Sequence, residues 1–377
     1  MAKAFILAGE PSGDKLAAAL MRASHSRFTS WVGIGGPLMQ AEGLNSHPDF
    51  EQLQIIGFMQ ALMRYNSLKQ LMNELVEAAC NERPEVIFTV DSKAFSIRFA
   101  KKMRAKMQEQ GWQAPIIHMV APTVWAYGKG RARAFEAAFD GLLCLFPMEP
   151  AYFKAERCPA IFIGHPAAYD MPEAFGKKDA HKMTLCVLPG SRRSEINAHL
   201  PDFLYAIKKI DHVRDFDVVI PTLPELEKQV ARKCRLTGIK ARIVTGRDAF
   251  QKTVQEAHIM VAASGTATLE TALAGIPGVV AYRLNSFVAA IMKMRFQLKD
   301  PVLPNIILND DVYPFLFQQQ LSPTSVSTML GAILVNYPHN QGQLVLKSRA
   351  LRDALTPSHD DFEDAIKAAL QQLSILP

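Results

Sequence analysis

The stretch AFILAGEPSGDKLAAAL, residues 4–20, decides how the rest of the chain is read. Five apolar residues, Ala4 to Ala8, have the length of a buried strand. After a short loop with two glycines the apolar residues return at helical spacing, at Leu16, Ala19, Leu20 and Ala23. A strand running through a glycine loop into a helix is the opening unit of a parallel, helix-covered sheet. Such loops often cradle a phosphate. This one carries two carboxylates, Glu10 and Asp14, that would repel it.

The same rhythm repeats along all 377 residues. Further strands are expected at Trp31–Ile34, Val86–Val90, Ile116–Val120, Gly141–Phe146 and Ile161–Ile163. After a break at 166–182 they resume at Met183–Leu188, Asp217–Ile220, Ala241–Val244, Ile259–Ala262 and Gly278–Tyr282. The expected fold is α/β, with two Rossmann-like, doubly wound domains facing across a cleft, residues 1–168 and 169–350. A tail helix over 356–377, with Thr356 as N-cap and Pro357 at its first position, is expected to pack back on the first domain.

Composition narrows the function classes. Lysine and arginine number 42 against 36 acids, a mild excess that suits an anionic ligand or a membrane surface. Neither dense basic clusters nor a recognisable module marks a nucleic-acid binder, so no nucleic-acid partner is expected. Five widely spaced cysteines and a strand directly after Met-Ala-Lys read as a cytosolic protein with reduced thiols and no secretory signal. The apolar run from His258 to Tyr282 is interrupted by Gly265, Gly275, Pro277 and several hydroxyl residues, so it reads as buried strand, loop, helix and strand.

Ligands of doubly wound sheets bind beyond the C-terminal strand ends, which makes the loops there informative. In the second half, VLPGSRRSEI (187–196) ends a strand in a Gly turn and starts a helix with Ser191, Arg192 and Arg193. Amide N–H groups at such a helix start, with an arginine fork, favour an anion. AASGTATLE (262–270) repeats the arrangement with Ser264, Gly265 and Thr266, and Glu270 follows one turn later, placed to accept from ribose hydroxyls. Together the two turns point to a nucleoside diphosphate; singly, each also fits an ordinary strand-to-helix turn. No Walker loop and no dinucleotide Gly-x-Gly-x-x-Gly follows a first strand. Asp215 and Asp217 lie where a strand begins, away from the expected cleft, so no metal site is expected there.

The first half offers acids at the equivalent ends: Glu10 after the first strand and Asp91 after VIFTV. A carboxylate so placed can act as general base toward a hydroxyl, or can simply cap a helix. VAPTVWAYGKGRAR (120–133) sets Trp125 and Tyr127 before Lys129, Arg131 and Arg133. That loop fits a sugar phosphate, and equally a plain surface loop. The segment 55–75 has an apolar surplus for one helix, including Phe58, Met59 and Leu62, which belongs either to the core or to a face for acyl chains.

Taken in order, AGEPSGD (8–14), GIGGPLMQAEG (33–43), IGFMQAL (56–62), VAPTVWAY (120–127), LCLFPMEPAYF (143–153), FIGHP (162–166), LPGSRRSEI (188–196), ASGTATLE (263–270) and LPNIIL (303–308) resemble the lipid-A-disaccharide synthase family. The resemblance spans nearly the whole chain and implies a GT-B fold. It implies transfer from UDP-2,3-diacylglucosamine to 2,3-diacylglucosamine 1-phosphate by an inverting displacement, with no cofactor and no metal. It also implies a cytoplasmic protein held peripherally on the cytoplasmic face of the inner membrane of a Gram-negative cell, and it is compatible with a homodimer.

Residue by residue, the resemblance makes Asp91 the base and sets Arg192 on the diphosphate; Glu10, in a loop of the same domain, is expected to support Asp91. Ser191, Ser264, Gly265, Thr266, Glu270 and Asn305 fall on the UDP side. Ser12, Asp14, Phe58, Met59, Leu62, Trp125, Tyr127 and Arg131 fall on the acceptor and lipid side. Asp14 is further expected to favour the N-terminus of its own helix. One departure stands out: Asp91-Ser92-Lys93-Ala94-Phe95 replaces the family's Asp-x-Pro-Asp-Phe, which leaves the base in a changed setting. Two other readings fit a UDP-binding chain: a UDP-sugar 2-epimerase of the same fold, and a non-catalytic UDP-lipid-binding protein of the membrane surface.

Overall fold

The structure is a computed structural model that describes residues 2–48, 65–127, 130–174, 182–210, 216–284 and 301–377. Alternating strands and helices form two compact units, one of Met1–His165 with Thr356–Pro377, the other of Pro166–Leu355.

The first unit holds a seven-stranded parallel sheet in the order β3-β2-β1-β4-β5-β6-β7. Its strands are β1 (Ala2–Ala8), β2 (Phe28–Ile34), β3 (Leu44–Ser46), β4 (Val86–Val90), β5 (Ile116–Met119), β6 (Gly141–Cys144) and β7 (Ala160–Phe162). Between them run α1 (Pro11–Ser24), α2 (Pro37–Ala41), α3 (Tyr65–Glu82), α4 (Lys93–Gln110), α5 (Val124–Tyr127) and α6 (Gly130–Glu136). Helices cover both sheet faces, so a central strand must be apolar on both sides: all five residues of β4 are buried. Phe5 of β1 stacks on Phe99 of α4 with ring centroids 5.7 Å apart.

The second unit begins with α7 (Pro166–Asp170) and holds six parallel strands in the order β10-β9-β8-β11-β12-β13. They are β8 (Met183–Leu188), β9 (Phe216–Thr222), β10 (Arg242–Thr245), β11 (Ile259–Ala263), β12 (Gly278–Tyr282) and β13 (Phe315–Phe317). Their helices are α8 (Arg193–Lys208), α9 (Glu227–Thr237), α10 (Arg247–Glu256), α11 (Ala267–Leu273), α12 (Leu303–Leu308), α13 (Pro323–Val335) and α14 (Tyr337–Leu355). Helix α8 buries Ile196, Leu200, Phe203, Leu204 and Ile207 against this sheet. Each such side chain contributes about 1.5–3 kcal/mol when fully buried.

Both sheets reverse their winding at one place. In the first, β1 pairs with β4 in the register Ala8↔Val90; in the second, β8 pairs with β11 in the register Leu188↔Ala262. Connections leaving such a strand pair go to opposite faces and open a crevice at the C-terminal ends. The loops after β1 and β4, and those after β8 and β11, are therefore neighbours within their own units.

Several expectations need correction. The three-residue edge strands β3 and β13 were not foreseen, because so short a strand owes its shape to its ladder partner more than to its own residues. The last helix, α15 (Phe362–Gln372), starts later than expected. Its N-cap is Asp361, which accepts from Asp364 N at 2.7 Å, whereas Thr356 and Pro357 belong to the turn after α14. Helix α15 is tied to α1 by Arg22 Nε and Glu363, 2.6 Å apart. Of the 55–75 segment, Leu71 is buried and Leu68 and Met72 pack on the first unit's core. Phe58, Met59 and Leu62 lie outside the described residues.

Candidate functional site

At the crevice of the second unit lies a cavity of 580 Å³. Ser191, Arg192, Ser264, Gly265, Thr266 and Glu270 all line it, drawn from two segments some seventy positions apart in sequence. Gly190 has φ +109°, a conformation that disfavours a side chain, and an added Cβ would lie 2.5 Å from Glu195 Oε2. Gly265 faces open space, so nothing obstructs a ligand approaching its backbone.

The amides expected to await an anion have a partner already. Ser191 N and Arg192 N donate to Glu195 Oε2 at 3.0 and 3.2 Å, and Arg192 Nη1 reaches Glu195 Oε1 at 3.4 Å. Tyr282 Oη donates to the same Oε1 at 3.3 Å. Glu195 thus sits where an anionic ligand of this turn would. Its one mark in the sequence is its place three residues after the N-cap Arg192, the capping-box position.

Glu270 differs from expectation in a similar way. Arg247 Nη1 donates to both of its carboxylate oxygens at 2.9 Å, and the guanidinium lies 5.3 Å from the Phe250 ring centroid. Arg247 was missed because its partner is 23 residues away; the turn glycine before it, Gly246 with φ +92°, was the available mark. Ser264 Oγ donates to Pro301 O at 2.9 Å, so it meets a ligand as an acceptor and not as a donor. Asn305 is placed elsewhere: it is buried and closes a two-way clamp on the Tyr313 backbone, at 2.8 and 3.0 Å, and does not line the cavity. Asp217 pairs with Arg242 at 3.1 Å, while Asp215 lies outside the described residues.

Behind the cavity, His199 joins the ends of β8 and β12. Arg283 N donates to its Nε2 at 2.9 Å, which leaves Nδ1 to donate to Pro189 O at 3.1 Å. Burial lowers its pKa, so the ring is neutral and this tautomer is held.

The crevice of the first unit has a different chemistry. Asp91 and Ser92 both take left-handed backbone, φ +51° and +42°, between β4 and α4. Non-glycine residues rarely adopt this, and strain of order 1–3 kcal/mol each persists where the surroundings over-determine it. Asp91 N donates to Met119 O at 3.0 Å, and Ser96 Oγ donates to Asp91 O at 2.9 Å. The side chain is left partly exposed, with Lys93 Nζ 3.7 Å from Oδ1. Gly13 on α1 lies close by, since a Cβ there would be 3.8 Å from Asp91 Cβ.

Of the neighbours, Glu10 caps α1 through its backbone, Asp14 N donating to Glu10 O at 2.8 Å, and Ser12 is exposed on the first turn. Asp14 is corrected: it is buried, and Leu38 N and Met39 N donate to its two oxygens at 3.0 and 3.1 Å. Its carboxylate caps α2, not its own helix, with both oxygens engaged there. Trp125 and Tyr127 lie on α5 and exposed Arg131 on α6.

Two further groups were missed. Glu149 is buried and accepts from Leu145 N and Phe146 N at 3.1 and 3.2 Å. Burial lifts its pKa to about 7 against the pull of those amides and of the Lys93 charge. The Trp125 indole N–H lies near it without closing a hydrogen bond of ordinary geometry. His118, paired with Thr89 at 2.7 Å, is pushed to about 3 by burial and then by Lys93. Lys93 is therefore the common cation of this crevice. Among the described residues, no three His, Cys, Asp or Glu side chains are arranged to hold a metal ion, and no helix is long and apolar enough to cross a membrane.

Two doubly wound parallel units define the GT-B class, which the comparison with solved structures bears out. The fold matches Neisseria meningitidis UDP-GlcNAc 2-epimerase bound to UDP-GlcNAc with TM-score 0.62 at 12% identity, over 99% of this chain and 100% of that one. It matches Acinetobacter baumannii MurG with TM-score 0.56 at 12% identity, over 98% and 99%. The sequence sets the family within that class. The family model described as lipid-A-disaccharide synthetase matches residues 4–369. The lipid-A-disaccharide synthase of Rhodopseudomonas palustris is 35% identical over 355 residues, 90% of this chain and 88% of that protein. That of Rhodospirillum centenum is 33% identical over 352 residues, 90% and 87%. The chain belongs to the lipid-A-disaccharide synthase family, glycosyltransferases of lipid A biosynthesis.

Proposed function

We propose that this protein transfers 2,3-diacylglucosamine from UDP to the 6-hydroxyl of 2,3-diacylglucosamine 1-phosphate, with inversion, giving the β-1,6-linked disaccharide 1-phosphate and UDP. The observation that carries the reading is the second unit's cavity, which gathers Ser191, Arg192, Ser264, Gly265, Thr266 and Glu270 at one winding reversal. Family membership supplies the chemistry that such a cavity serves.

In the proposed step Asp91 removes the hydroxyl proton while the oxygen bonds to the anomeric carbon. The bond from that carbon to the β-phosphate oxygen breaks, and UDP takes the electron pair. Arg192 and the amides of Ser191 and Arg192 stabilise the charge that develops there. For this the diphosphate replaces the Glu195 carboxylate on those amides. Lys93 is the group that holds Asp91 in place of the family's proline. Donor and acceptor are both acylated, so the protein works against the cytoplasmic face of the inner membrane.

A product assay with both acylated sugars tests the reading. The disaccharide phosphate and UDP should form in equal amounts. Saturable UDP binding without disaccharide would overturn it in favour of a binding protein, and epimerisation of water-soluble UDP-N-acetylglucosamine would overturn it in favour of an epimerase.

A further inference from the structure

Next to the site cavity, helices α8 and α9 of the second unit frame a separate groove of 640 Å³. Arg193, Lys228, Arg232 and Lys233 line it, and among the described residues no acid does. Lys228, Arg232 and Leu236 are spaced i, i+4 and i+8 along α9, which puts them in one row on the helix, and Lys233 flanks that row. None of the three α9 cations has an ion-pair partner among the described residues. Among the described residues, the Arg193 side chain reaches a carbonyl, Glu225 O at 3.5 Å, and no acid.

Gln229 fixes the two helices together: its Nε2 donates to Arg193 O and to Asn197 Oδ1, both at 3.0 Å. Its Oε1 is buried with no described partner, an acceptor left facing no donor. Leu236, 73% exposed, stands at one end of the groove, and Leu223, 42% exposed, stands on the rim of the site cavity. Arg192 lines the cavity and Arg193 the groove, so the two share an edge.

We infer that this groove is the surface by which the second unit docks on an anionic lipid bilayer. Concentrated, unpaired positive charge seeks an anionic partner, and its attraction falls off within a Debye length. The exposed Leu236 beside the cations favours a bilayer, whose acyl boundary can receive it, over an aqueous polyanion. Among the described residues the lining has no aromatic ring on which a nucleic-acid base could stack. The inference rests on the proposed transfer between acylated sugars, since such substrates are held in a bilayer, and it names the face turned toward them.

The test is co-sedimentation of the full-length protein with vesicles of mixed phosphatidylglycerol and phosphatidylcholine, with pure phosphatidylcholine vesicles alongside. The wild type should bind the mixed vesicles and be released by salt. The variant K228Q/R232Q/K233Q, altered only on the groove, should bind them about a hundredfold more weakly. UDP affinity, and turnover of detergent-dispersed substrates, should stay at the wild-type level. Equal vesicle binding by the two proteins would overturn the inference, as would salt-insensitive binding to pure phosphatidylcholine. Bulk RNA bound in preference to mixed vesicles, and lost in the same variant, would overturn it in favour of a nucleic acid. In each of these cases normal turnover in detergent leaves the glycosyl-transfer reading standing, whereas absent turnover with intact vesicle binding would break that reading instead.

Discussion

In the first unit the loops after β1 and β4 present Glu10 and Asp91, with Lys93 as the nearest cation. In the second unit the loops after β8 and β11 present Arg192 and a glycine-lined turn, with Glu195 and Glu270 as the resident anions. The two sheets share a topology, and their winding reversals put loops at equivalent places. What differs is the sign of the group left available. The fold decides where chemistry can happen; the loop residues decide whether a crevice offers a proton acceptor or an anion site. A carboxylate in the opening glycine loop, puzzling for a phosphate cradle, is reasonable once the phosphate is assigned to the other sheet.

The largest effect expected from this contrast is a pair of variants that both lose turnover and separate on UDP affinity. Asp91→Asn should lower kcat by roughly 10²–10⁴ and leave UDP affinity near wild type. Arg192→Ala should weaken UDP binding and lower kcat by roughly 10²–10³. Steady-state kinetics with UDP titration on each variant would read both. Equal UDP affinity in the two variants would break the comparison.

A second effect lies in stability. Glu149 gives up its proton near 4.5 when unfolded and at about 7 when folded. Between those values the native state binds a proton that the unfolded chain has released, so stability falls as pH rises through that window. Above it the full cost, about 3 kcal/mol, is present. Denaturant unfolding at about pH 5 and about pH 8 should show this slope in wild type and a flatter one in Glu149→Gln. An unchanged slope would mean that Glu149 is not the group responsible.

The smallest effect concerns Asp14. Asp14→Ala removes the cap on Leu38 N and Met39 N and should cost about 1 kcal/mol or somewhat more, with UDP affinity unchanged. A large loss of acceptor affinity with unaltered stability would assign Asp14 to the acceptor instead of to the cap.

How far the sequence can be read follows from the range of the interactions involved. Strands such as Val86–Val90 and Met183–Leu188 declare themselves through apolar runs broken by a single threonine, and both were legible to the residue. The Gly-Ser-Arg turn was legible too, because its glycine and arginine act locally. What was hidden depends on partners far along the chain. Asp14 caps a helix 24 and 25 residues on, and Arg247 takes Glu270 from 23 residues before it. Asn305 looked like a ligand contact because nothing local shows that Tyr313 takes both ends of its amide. Local periodicity carries no information about which side chain will consume which hydrogen bond.

The central claim is that UDP belongs to the later unit and the proton acceptor to the earlier one. A crystal structure of the protein with UDP tests it most directly. The account predicts the diphosphate on the amides of Ser191 and Arg192, with Glu195 displaced and Asp91 free of nucleotide contact. UDP bound beside Glu10, with Glu195 still on its turn, would contradict it.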